Sequence, residues 1–100
     1  MIVGVEGEAG AVPNSFKLSQ NYPNPFNPET VIDYSLPIRS DVKLTIYNLR
    51  GEEVALLING TVPAGNHRVS WDASSFASGV YLYRLQAGDF VQTRKMVLLK

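Results

Sequence analysis

From residue 16 onward, hydrophobic residues recur at every second position in short runs. No stretch sustains the three-to-four-residue spacing of an amphipathic helix. In "TVIDYSL", Ile32, Tyr34 and Leu36 fall on one face and Val31, Asp33 and Ser35 on the other. In "DVKLTIYN", Val42, Leu44 and Ile46 alternate with Lys43, Thr45 and Tyr47. "NHRVSWD" sets His67, Val69 and Trp71 against Arg68, Ser70 and Asp72, and "GVYLYRLQA" sets Tyr81, Tyr83, Leu85 and Ala87 against Val80, Leu82, Arg84 and Gln86. "FKLSQ" (16–20), "EVALLI" (53–58) and "DFVQTRKMVLLK" (89–100) complete a set of about seven strands. Gly51, Gly65 and Gly88 mark turns between them, and turn signals every 8 to 12 residues or so are the spacing of a β-sandwich. The pattern predicts an all-β, immunoglobulin-like sandwich of antiparallel strands. Its inter-sheet core is expected to contain Trp71, Val69, Leu44, Ile46, Tyr83 and Leu85.

Two segments depart from this alternation. Residues 1–15, "MIVGVEGEAGAVPNS", are small and rich in glycine and alanine, and read as a linker or the end of an upstream region. The sandwich is then expected to occupy residues 16–100. The second segment is "YPNPFNP" (22–28), where each proline fixes φ, disfavours helix at the residue before it and removes a backbone donor. The asparagines between the prolines are suited to local turns and caps. The segment reads as a rigid, kinked connection that leaves no sticky edge, with Tyr22 and Phe26 docking on the end of the sandwich.

Composition narrows the function. Nine basic and nine acidic residues cancel, which argues against a nucleic-acid surface or a polybasic membrane patch. No apolar run approaches the ~20 residues of a membrane-spanning helix. The chain has no cysteine, so disulfides and thiolate metal sites are excluded.

Its one histidine, His67, is in phase with Val69 and Trp71 and reads as structural. No serine lies in a Gly-x-Ser-x-Gly elbow, and Glu52 and Glu53 are adjacent and so face opposite ways on a strand. "DASS" (72–75) offers oxygens that fit a plain turn better than a calcium loop. Trp71 is in phase with the core rather than with a sugar-binding platform, and "NGT" (59–61) fits either a glycosylation sequon or a turn. The expectation is a non-catalytic domain with no cofactor and no metal.

"LSQNYPNPFNPETVIDYSLP", "VKLTIYNLRGEEV", "PAGNHRVSWD", "ASGVYLYRL" and "RKMVLLK" occur in this order over residues 16–100. Together they closely resemble the type A C-terminal sorting domain of type IX secretion system cargo proteins, a family related in fold to the immunoglobulin-like domain of flagellar hook-capping proteins. The resemblance implies a folded secretion signal on a larger, covalently attached cargo. Such cargo passes through the periplasm to an outer-membrane translocon and is released or anchored at the cell surface after a sortase removes the domain. The recognition elements implied are Pro23, Asn24 and Pro25, then Gly79 and Tyr81, then Lys95, Met96, Val97, Leu98, Leu99 and Lys100. The sortase cut is expected within residues 7–15. The alternative is a retained structural or carbohydrate-binding immunoglobulin-like module of a secreted enzyme. A last expectation comes from "RKMVLLK" itself: as the final strand of a sandwich it should lie at or near a sheet edge with backbone groups open to a partner, and its second apolar face is covered either by that partner or by the linker or a neighbouring loop.

Overall fold

The computed structural model describes residues 12–100. Seven strands are present: β1 (Lys17–Leu18), β2 (Glu29–Leu36), β3 (Ser40–Tyr47), β4 (Glu53–Val62), β5 (Gly65–Asp72), β6 (Gly79–Ala87) and β7 (Phe90–Leu98). They form a three-stranded sheet in the order β1-β2-β5 and a four-stranded sheet in the order β4-β3-β6-β7. Every pairing between strands is antiparallel, so the architecture is the all-β sandwich expected from the alternation.

The inner faces are the predicted ones. Ile32, Tyr34 and Leu36 of β2 meet Val42, Leu44 and Ile46 of β3, Tyr81, Tyr83, Leu85 and Ala87 of β6, and Met96 and Leu98 of β7, all of them buried. Trp71 closes one end of this core, with ring centroids 5.9 Å from Phe26, 5.2 Å from Phe76 and 5.7 Å from Tyr81. Such an aromatic cluster is worth more than its buried area alone. Val69 departs from the expectation: it packs against the core but is only partly buried, because β5 is an edge strand and no further strand covers its outer side. His67 shares that position; its ring stacks on Tyr34 at 5.3 Å and its Nε2 donates to the Pro63 carbonyl at 2.8 Å.

Two local expectations need correction. The fourth strand runs to Val62 rather than ending at residue 58, so Asn59, Gly60 and Thr61 lie in a strand paired with β3 and not in a turn. Its register against β3 shifts twice, between Leu44 and Thr45 and between Ile46 and Tyr47, which blurs the alternation that would have announced its length. At the other end of the chain, ladder pairing in the first strand covers only Lys17 and Leu18 instead of residues 16–20. The β3–β4 turn does need its glycine: Gly51 has φ of 84°, and the Asn48 carboxamide oxygen caps the turn by accepting from the Arg50 and Glu52 amides at 2.9 and 3.0 Å.

Candidate recognition site

After β1 the chain continues alongside β2: the Ser19 amide donates to the Asp33 carbonyl at 3.0 Å, and Tyr22 and Val31 exchange two backbone bonds of 2.8 Å. The prolines then turn it away, and Phe26 lands on β7 of the other sheet in a parallel bridge to Leu98. The Phe26 amide donates to the Val97 carbonyl at 2.9 Å, and the Leu99 amide donates to the Phe26 carbonyl at 3.0 Å. Between them, the Val97 amide donates to Asn24 Oδ1 at 3.0 Å, and Gln20 Nε2 donates to the Lys95 carbonyl at 2.8 Å. The segment therefore changes sheets and seals one flank of the sandwich.

This corrects the expectation of an open terminal edge. β7 is the last strand of its sheet, yet its outward backbone groups at Lys95, Val97 and Leu99 are bonded to the loop. The alternation of β7 could not reveal this, since the partner is an irregular segment more than 70 residues away that offers a carboxamide and one aromatic residue.

Buried polar groups hold the loop from beneath. The Asn21 amide donates to the Tyr83 hydroxyl at 2.8 Å, and that hydroxyl donates to the Ser19 carbonyl at 2.7 Å. Asn21 Nδ2 donates to the Pro23 carbonyl at 3.1 Å and to Thr30 Oγ1 at 2.9 Å, while Thr30 Oγ1 donates to the same Pro23 carbonyl at 2.9 Å. Arg94 Nε donates to the Leu18 carbonyl at 2.7 Å. Asn21, Thr30 and Tyr83 are all buried, so each bond here also removes the cost of an unpaired group. Burial pushes the Tyr83 phenol above its ordinary pKa, with the Asn21 amide and the Arg94 charge pulling weakly the other way.

The residues named by the resemblance converge on this end of the molecule. Pro23 is a double acceptor, Asn24 grips Val97, and Pro25 sits exposed between Asn24 and the buried Phe26. Gly79 and Tyr81 pair with Leu98 and Met96 from the other side of β7. Tyr81 donates its hydroxyl to the Ala77 carbonyl at 2.7 Å. Gly79 has φ of 156° with open space where a Cβ would stand, so its requirement is one of backbone conformation. Met96 and Leu98 are core residues, whereas Lys95 and Leu99 are exposed. Lys100 is held at both ends, its amide donating to Ser78 Oγ at 3.0 Å and its ammonium to the Ser74 carbonyl at 2.6 Å.

Sequence reasoning missed the anchors Gln20, Asn21 and Thr30; it placed Tyr83 only in the core and gave Arg94 only the role of an orienting charge beside Lys95 and Lys100. One signal was available: Thr30 is in phase with Ile32, Tyr34 and Leu36, and a polar residue at an inward position must find a partner. The linker positions 1–11 assigned from the sequence, including most of the expected cut region, lie outside the described residues.

The polar groups gathered here are amides, carboxamides, hydroxyls and cations, suited to holding a shape and presenting it. Among the described residues no cluster of His, Asp or Glu is arranged to hold a metal, and no helix is long and apolar enough to cross a membrane. A family model described as secretion system C-terminal sorting domain matches residues 20–99. No curated protein matches. Among solved structures, the chain is similar to one described in work on PorZ, an essential bacterial surface component of the type-IX secretion system of human oral-microbiomic Porphyromonas gingivalis. The TM-score is 0.54 and the identity 18%, over 97% of this chain but only 12% of that one. That likeness is one of fold. The match to the family model, which runs from the sheet-switching loop to the clasped terminal strand, decides the assignment: this chain belongs to the secretion system C-terminal sorting domain family.

Proposed function

We propose that the chain is a non-catalytic export signal recognised in its folded state by the outer-membrane translocon of a type IX secretion system. The observation that carries this reading is the convergence of Pro23, Asn24 and Pro25, Gly79 and Tyr81, and residues 95–100 on one end of the sandwich. A recogniser of that end reads a surface that exists only when loop and terminal strand are clasped together. Unfolded or truncated cargo would not present it. The domain at residues 16–100 is then the sorting unit, residues 1–15 the linker to an upstream cargo, and a sortase cuts within residues 7–15 once the cargo has left the periplasm. An accessible, extended segment suits a protease better than a hydrogen-bonded strand.

The test is a secretion assay with a reporter fused before residue 1. Deleting residues 96–100 is expected to retain the reporter in the periplasm, and Lys95→Glu with Lys100→Glu is expected to reduce export while circular dichroism shows a folded domain. Efficient secretion of the deletion variant would refute the reading. Sequencing the new terminus of the exported protein locates the cut.

A further inference from the structure

The two outer faces of the sandwich differ in a way that the clasped end does not explain. On the three-stranded sheet, the outward positions beyond Val31 carry polar pairs satisfied within the sheet. Arg68 forks onto Asp33 at 2.8 and 3.2 Å, which holds the Asp33 carboxyl below its ordinary pKa, and Ser35 donates to Asn66 at 2.7 Å. On the four-stranded sheet, the pairing register lines up four outward rows: Leu56, Thr45, Arg84 and Thr93; Glu53, Tyr47, Leu82 and Lys95; Val80 with Val97; and Asn59, Lys43, Gln86 and Val91. This face is mixed: Leu56, which is 43% exposed, Leu82 and Tyr47 lie among threonines, with cations at Arg84, Lys95 and Lys43 and a carboxylate at Glu53.

Arg84 is the centre of it. Its guanidinium lies 5.0 Å from the Tyr47 ring centroid and donates from Nη2 to the Tyr47 hydroxyl at 2.6 Å. Its Nε and the Thr45 Oγ1 on the neighbouring strand are both buried without a hydrogen-bond partner. No carboxylate among the described residues bridges Arg84, in contrast with Arg68. A depression of about 270 Å³ lined by Tyr47, Gly51, Leu82, Arg84 and Thr93 lies beside it. A cation held flat against an aromatic ring, beside a depression lined in part by Leu82 and with no carboxylate bound to it, has the recognition geometry for a carboxylate carried on an apolar surface.

From this we infer that the outer face of β3, β6 and β7 is a docking surface for a protein partner that presents a carboxylate flanked by apolar side chains. The proposal does not rest on the export reading, and its residues other than Val80, Lys95 and Val97 lie outside the clasped end. A membrane is the poorer occupant, because surface binding to anionic lipid uses clusters of about 4 to 8 extended cations; here there are three, one of them pinned to a ring. Nucleic acid is disfavoured by a chain of zero net charge.

The probe is a short peptide alternating Glu with Leu and Phe, titrated into the ¹⁵N-labelled chain. The expected result is chemical-shift change confined to Tyr47, Leu82, Arg84 and Thr93, weakening as salt is raised from ~0.05 to ~0.5 M. Arg84→Gln should weaken binding about tenfold and Arg84→Lys by less, with Arg68→Gln as an unaffected control. The melting temperature of each variant separates lost binding from lost folding, and the salt series tests the wild-type chain should Arg84→Gln not fold. Four outcomes would overturn the inference. These are equal binding of the matching Lys peptide, shifts on the Asp33–Arg68 face, preferential binding to phosphatidylglycerol vesicles, and concentration-dependent shifts of the same face without peptide, which would mean a second copy.

Discussion

The two flanks of the sandwich are closed in different ways. Where β1 and β7 meet, Leu18, Phe26, Met96 and Leu98 are fully buried, because the proline segment crosses from one sheet to the other and covers them. At the opposite edges, formed by β4 and β5, Val54, Leu57, Ile58, Val62 and Val69 all stay partly exposed. Among the described residues only the short turn at Pro63 and Ala64 joins the sheets on that side, and the β4 edge is protected from strand pairing by its two register shifts. The contrast shows what the prolines achieve: they give a non-repeating path that ends in hydrogen bonds, and so convert an edge strand into an enclosed one.

The largest effect should come from removing the side chain that joins the sheets. Phe26→Ala is expected to cost about 3 to 5 kcal/mol, the usual range for emptying a large buried aromatic site, read as a fall in the urea midpoint. Trp71→Ala should cost as much, since Trp71 is the ring on which Phe26 rests; an unchanged midpoint would put Trp71 outside the core. Next is Tyr83→Phe, which leaves the Ser19 carbonyl and the Asn21 amide without a partner and should cost about 1 to 3 kcal/mol. Leu57→Ala on the open flank should cost less than either, on the order of 1 kcal/mol, because only part of its area leaves water on folding. If Leu57→Ala matched Phe26→Ala, the distinction between the flanks would fail.

The pH dependence gives the smallest effects and again divides the molecule. The folded-state pKa of Tyr83 is raised, so the stability it carries is complete below the unfolded value near 10 and is lost as the pH rises through the folded one. Tyr83→Phe should reduce this alkaline loss, leaving the share of Tyr34, whose pKa is also raised by burial. Asp33 behaves in the opposite sense: hydrogen bonding to Arg68 lowers its pKa, so its contribution is present above the unfolded carboxylate value near 4 and fades as the pH falls through the folded one. Being an exposed pair, it should change the acid limb barely measurably on Arg68→Gln.

How much of this was legible in the sequence depended on periodicity. The inward faces of β2, β3 and β6 followed directly from alternation, because one face of each is buried in the core, and so did the burial of Trp71 on β5. β4 was misjudged in length because its bulges break the period. The clasp on β7 was invisible for another reason. Its partners are Gln20, Asn24 and Phe26, brought there by a segment with no repeat to read, and the bonds made by Phe26 are backbone bonds that carry no side-chain signature. The motif residues assigned by resemblance were found together, but composition alone would have given no reason to link Asn24 with Val97.

The bond from the Val97 amide to Asn24 spans 73 positions along the chain. Contacts of such separation are entropically costly to close and form late. During synthesis, residues 20–26 emerge long before residues 95–99 exist to receive them, so until then the flank over Leu18 and Phe26 stays open. The clasp is thus the last part of this flank that can close, since one of its two halves is made 73 positions after the other.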